Sequence, residues 1–183
     1  MSRILAALGL TFALAATATA CAGTVRTTGI AVDAPSTARE RAIAADLVAR
    51  VNAERTARGL RPVAWDHGLA ASALRWSGTM AATGFRHSDI HPLLARFVAA
   101  AENIGKGAHG TTAGDMHVAW MRSDDHRHDV LAPNLERIGI GVVCAPDGTM
   151  WATEQFGSTT SGDFGPLPPV DPIARPDRGT LTC

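Results

Sequence analysis

Apolar side chains recur at helical spacing along the earlier part of the chain and at strand spacing later. Ile43, Leu47 and Val51 fall every fourth position behind Ser36 or Thr37, either of which can cap a helix that Gly59 ends. Asp66 is placed to cap a second helix carrying Leu69, Ala73, Trp76 and Met80 on one face, with Gly84 just past its end. The apolar stretch from Leu93 to Val98 follows Pro92 and predicts a short helix. Thr111 or Thr112 opens another with Met116 and Trp120, and Asp125 to Leu131 forms a short fifth.

The period then changes. Arg137 to Cys144 alternates and is rich in β-branched residues, Ala145-Pro146-Asp147-Gly148 is turn chemistry, and Thr149 to Phe156 reads as the returning strand. A further short strand is expected near Val63-Ala64-Trp65. Helices first and a hairpin late predict an α+β fold rather than alternating β/α units. Trp65, Trp76, Trp120 and Trp151 each fall on an apolar face and are expected in the core. Beyond Phe156 the Gly-, Ser- and Pro-rich sequence predicts an irregular tail.

The start of the chain has a different pattern. Arg3, an apolar run from Ile4 to Ala16 and the small residues Ala18-Thr19-Ala20 are the three parts of a secretory signal. The run is too short for a permanent span, which needs roughly 20 apolar residues. Residues 1–20 are therefore expected to be a signal peptide, residues 21–37 a flexible tether, and the mature protein exported. What remains is long enough for one domain with a sizeable core.

Acidic and basic residues balance at 17 each, with no long run of either sign. No basic stripe is built, so nucleic acid is not an expected partner.

The three cysteines are Cys21, Cys144 and Cys183. Cys21 would begin the mature chain, where bacterial lipoproteins carry a lipidated cysteine, although Ala18 stands where Leu is usual. Two readings stay open: lipidation of Cys21, anchoring the protein to the outer face of the cell membrane, or free secretion with an unmodified thiol. Under the first, Cys144 and Cys183 are left to pair in an oxidising compartment. The tail would then be tied down.

Seven histidines are present, at 67, 87, 91, 109, 117, 126 and 128, and none forms the H-E-x-x-H spacing of a zinc peptidase helix. His126 and His128 would chelate together only in an extended segment. There is no nucleophile elbow, P-loop or dinucleotide fingerprint, and Gly139 and Gly141 suit a tightly packed strand better than a phosphate cradle.

Several segments, in order, resemble the CAP superfamily of cysteine-rich secretory proteins, antigen 5 and pathogenesis-related proteins, in its bacterial SCP-like form. They are Val51-Asn52-Ala53-Glu54-Arg55 with Gly59 to Asp66, Phe85-Arg86-His87-Ser88, Glu102-Asn103-Ile104, Trp120 to Arg127 through Ser123 and His126, Ile138 to Val142, and Trp151 to Phe156. The likeness runs from about Leu47 to Gly157. It implies an α-β-α sandwich with a central antiparallel sheet flanked by helices, occupying residues 38–160, with a Pro- and Gly-rich tail over 161–183.

The resemblance also implies a surface cleft faced by His87, Glu102 and His126, where family members hold a divalent cation such as zinc. Ser123 stands where many eukaryotic members have a second glutamate; Asp124 or Asp125 is placed to supply a carboxylate instead. Two imidazoles and one carboxylate leave an open position. Occasional metal binding, a purely structural cluster and catalysis are all compatible with such a set. No cofactor is required. Two functions follow: a non-catalytic envelope module binding a small apolar or amphipathic ligand, such as a lipid, or a protein partner; and, as the alternative, a metal-assisted hydrolase or peptidase. The first is preferred because no nucleophile is evident.

Overall fold

The computed structural model describes residues 36–166, 169 and 171–183. The expected signal peptide, Cys21 and all of the tether but Ser36 and Thr37 lie outside the described residues.

Helix α1 spans Ala38–Ala57. Thr37 is its N-cap, its hydroxyl accepting from the Glu40 N–H while the Glu40 carboxylate returns to the Thr37 N–H, a reciprocal pair that satisfies two otherwise orphaned donors. Strand β1 is only Ala64–Trp65, and α2 spans His67–Thr83 behind the Asp66 cap. The expected short helix near Leu93 is a single 3₁₀ turn, His91–Ala95; Phe97 and Leu93 seal a small cluster with Leu69. Strand β2 spans Ala99–Gly107, α3 Ala113–Arg122, α4 Asp124–Leu131, β3 Arg137–Cys144 and β4 Met150–Ser158. No helix among the described residues is long and apolar enough to cross a membrane.

The strand order is β1-β3-β4-β2. Both long pairings are antiparallel, but β1 runs parallel to β3, so the sheet is mixed rather than wholly antiparallel. The reason is topological. All of α2, β2, α3 and α4 lie between β1 and β3 in sequence, a connection long enough to return the chain in the same direction.

Alternation on β3 divides the layers. Ile138, Ile140 and Val142 join Ile43, Leu47, Val51, Met116, Trp120 and Phe156 in the main core beneath α1, α3 and α4. Gly139 and Gly141 face α2 instead. A methyl at Gly141 would stand 2.1 Å from the Leu74 backbone nitrogen, and one at Gly139 2.1 Å from that of Ala70. The two glycines therefore let α2 lie directly on the strand, which makes the helix–sheet–helix sandwich thin on that side.

Trp120 and Trp151 are buried, as expected, and Trp76 is half-buried. Trp65 is the correction: it is 40% exposed. Because β1 is two residues long and lies at the sheet edge, the indole has no second layer to cover it.

The tail is irregular but firmly held. Cys144 and Cys183 form a disulfide with Cα atoms 5.2 Å apart. The nearly buried Arg50 guanidinium donates to the carbonyls of Arg175 and Asp177. The α3 amides of Ala113 and Gly114 donate to Leu181 O and Arg178 O, so tail carbonyls cap that helix.

Candidate functional site

Glu102 sits on β2, directly opposite Gln155 of β4, and its carboxylate is nearly buried. It accepts from the Ser88 backbone N–H at 2.8 Å, the Ser88 hydroxyl and the Gln155 side-chain amide at 2.9 Å. His87 Nδ1 lies 3.0 Å from the same carboxylate. Both oxygens are thus fully engaged.

His87 is carried by the loop after α2. That helix stops at Gly84, whose φ of 110° is open to glycine, and the loop is pinned where the Trp76 indole N–H donates to Arg86 O at 2.9 Å. The Arg86 guanidinium lies over the Trp76 ring. With Nδ1 facing Glu102, the His87 side chain is held at one edge and is still 58% exposed.

His126 arrives from the other side of the sheet, on the first turns of α4. Asn103, which faces the opposite way from Glu102 on β2, donates to His126 O at 3.1 Å and to Glu154 at 2.9 Å. The far end of α4 is held by Arg55, fully buried, whose guanidinium donates to the carbonyls of Val130, Ala132 and Leu135. Burial lowers the Arg55 pKa to about 10, yet the group stays charged and complements the negative end of α4.

β2 is an edge strand of the sheet, with Glu102 and its partner His87 on one face and Asn103, which holds the His126 carbonyl, on the other. Burial foremost, then the nearby His87, hold His126 below the ordinary histidine value, so its ring is neutral at physiological pH. Neither His126 ring nitrogen has a hydrogen-bond partner among the described residues. Beneath it, burial pushes Asp129 up to about 6 and Glu154 up to about 8, each carboxyl also disfavoured by a second acidic group.

The other sequence candidates divide. Ser123 stands at the junction of α3 and α4, its N–H donating to Trp120 O, and its hydroxyl makes no hydrogen bond to the His87–Glu102 group among the described residues. Asp124 is turned to Arg127 at 2.8 Å. No cluster of three or more His, Cys, Asp or Glu side chains among the described residues has the makings of a metal site. Glu102 does not fit as a metal ligand, because both of its oxygens are already engaged by His87, Ser88 and Gln155.

Sequence reasoning missed Gln155, Asn103, Glu154 and Arg55. It also missed a groove of about 430 Å³ between α1 and α2, walled by Ala44, Val48, Ala70, Leu74 and Trp65 and floored by Ile140 to Val142. His87, Glu102, Ser123 and His126 do not line it. The exposed apolar residues Ala45 and Ala71, at helical spacing beside buried neighbours, were the available signal.

Residues 48–156 match the family described as "CAP: Cysteine-rich secretory protein family". The uncharacterised protein YkwD of Bacillus subtilis is 33% identical over 76% of this chain, which spans 56% of that relative's length. An outer surface protein from Borrelia burgdorferi superposes with a TM-score of 0.59 at 16% identity, covering 64% of this chain and 93% of the other. An extracellular protein containing a SCP domain from Bacillus anthracis gives 0.54 at 21% identity, covering 68% and 45%. The structural likenesses concern the fold.

Proposed function

The chain belongs to the CAP (cysteine-rich secretory protein) family, and from that premise we propose that it works outside the cell as a binding module for a small apolar or amphipathic ligand. Export is supported by the signal pattern of residues 1–20. It is also in keeping with structural neighbours named as outer-surface and extracellular proteins. Lipidation at Cys21 would hold the module at the membrane; intact mass of the protein from its own host reads this directly.

One observation carries the binding reading. The groove between α1 and α2 has a size within the range of small-ligand sites, roughly 300–1,000 Å³, and its lining is mostly alanine, valine, leucine, isoleucine and tryptophan, with Arg41 and Ser36 as its polar members. Apolar surface left open in this way is stabilised by covering it. The test uses the fluorescent probe N-phenyl-1-naphthylamine, displaced by dodecanoate, with Leu74→Arg as the blocking variant. Saturable binding lost in the variant supports the reading. Equal signals from both proteins, or none from either, sink it.

A second reading concerns a divalent cation such as zinc, favoured by the exposed His87 ring and by the lowered pKa of His126. Here the two imidazoles would be the protein's ligands, with Glu102 orienting one of them. A bound cation would supply a Lewis acid at that edge. Peptide turnover abolished by Glu102→Gln would favour a hydrolase over a binder.

A further inference from the structure

The floor of the groove is an open sheet edge. β1 ends at Trp65, so it pairs only with Arg137 and Ile138 of β3, and the Asp66 N–H donates to Ile138 O at 2.8 Å. At the other end the Cys144 N–H donates to the Glu40 carboxylate at 2.8 Å, which closes the edge. Strand alternation turns the N–H and C=O of Ile140 and Val142 the same way as those of Ile138 and Cys144. No backbone partner meets them on that side among the described residues. Both residues are buried and both line the groove. Unpaired main-chain groups in such a setting carry a desolvation penalty that a second backbone would remove, and an acyl chain would not.

We propose that the groove takes the C-terminal end of an extended peptide, which adds to β3 as a strand in line with β1. This rests on the groove being the binding site. The direction follows from β1, which is parallel to β3, so a strand continuing its line runs toward Cys144. There it ends beside Arg41, next in sequence to the Glu40 that closes the edge. The Arg41 side chain is exposed, donates to Ser36 O, and faces no carboxylate among the described residues. A terminal carboxylate complements that charge. Ala44 and Ala45 on one face, with Ala70 and Ala71 on the other, leave room for small or β-branched side chains pointing both ways.

The experiment uses the mature protein and the acetylated tetrapeptide Ala-Val-Ala-Val, as free acid and as C-terminal amide, with calorimetry and amide exchange. The free acid is expected to bind about tenfold more tightly than the amide, and Arg41→Gln to erase that difference. The Ile140 and Val142 amides are expected to gain protection on binding. Equal affinity of acid and amide, or unchanged exchange at those two amides, overturns the proposal, while dodecanoate displacing the naphthylamine probe would leave the broader binding reading standing. Amides already protected in the free protein, and exposed once residues 21–35 are removed, would assign the edge to the chain's own upstream segment and overturn it as well.

Discussion

His117 Nε2 stands 3.5 Å from Glu54 Oε1, and neither side chain reaches water. Here α3 meets α1. The second Glu54 oxygen takes the Arg58 guanidinium one helical turn on, while Glu54 Oε1 and both His117 ring nitrogens have no hydrogen-bond partner among the described residues. The two side chains are held in place by the packing of α3 on α1.

Glu54→Ala leaves Arg58 without its carboxylate and opens a void against His117. Removing one member of a buried pair typically costs about 3–5 kcal/mol. The urea midpoint is expected to fall accordingly, far more than for Asp46→Ala, where Arg50 keeps its bonds to the tail. A loss under about 1 kcal/mol for Glu54→Ala would show that the group is dispensable.

Gly141→Ala is expected to destabilise by at least the roughly 1–3 kcal/mol typical of overpacking. The obstacle is backbone of α2, at 2.1 Å from the added methyl, and not the tip of a side chain that can swing away. Thermal unfolding measures this; an unchanged midpoint would mean that α2 can lift off the sheet without penalty.

Glu154 gives stability a pH dependence. Its folded pKa, raised by burial to about 8 from 4.5, means that the folded state holds the proton more tightly than the unfolded chain. Stability from this group is full below about pH 4.5 and declines as pH rises toward 8, by up to roughly 1.4 kcal/mol per unit. Glu154→Gln should flatten that slope and gain stability at pH 8. Denaturant midpoints from about pH 5 to about pH 9 decide it, and parallel curves would refute the assignment.

Reducing the Cys144–Cys183 bond, which joins positions 39 apart, is expected to cost about 4 kcal/mol in the chain-entropy picture. Scanning calorimetry with and without reductant, and of Cys183→Ser, should show matching downward shifts. A shift in one alone would point to a different role for the thiols.

Zinc titrated into the protein should give heat that disappears in His87→Ala and in His126→Ala. Because Glu102 would orient His87 without itself being a ligand, Glu102→Gln should weaken affinity about 10- to 100-fold without abolishing it. Identical isotherms for all four proteins would dismiss the cation.

Much of the fold was legible because its signals are local. Thr37, Asp66 and Thr112 cap where their spacing predicts, and Arg137 to Cys144 alternates plainly. Strand β2 was not legible from periodicity: Ala99-Ala100-Ala101 favours a helix, and Ile104 is its one β-branched residue. Pairing with β4 along nine positions overrides that preference. The site shows the same division. The family likeness pointed to His87, Glu102 and His126, but the commitment of Glu102 to Ser88 and Gln155 depends on cross-strand register, which no single segment encodes. The groove was hidden for a related reason, since it exists only because β1 stops after two residues.

The first turn of α1 and the end of the chain form one mechanical unit. Arg39 donates to the carbonyls of Thr182 and Cys183, Glu40 holds the Cys144 amide, and the disulfide ties the same two cysteines together. Tension applied at Cys183 therefore loads the covalent link to β3, whereas tension applied at Ser36 reaches that link only through the Arg39 and Glu40 hydrogen bonds. A pull along the chain from either of these points would load this knot ahead of the layered interior.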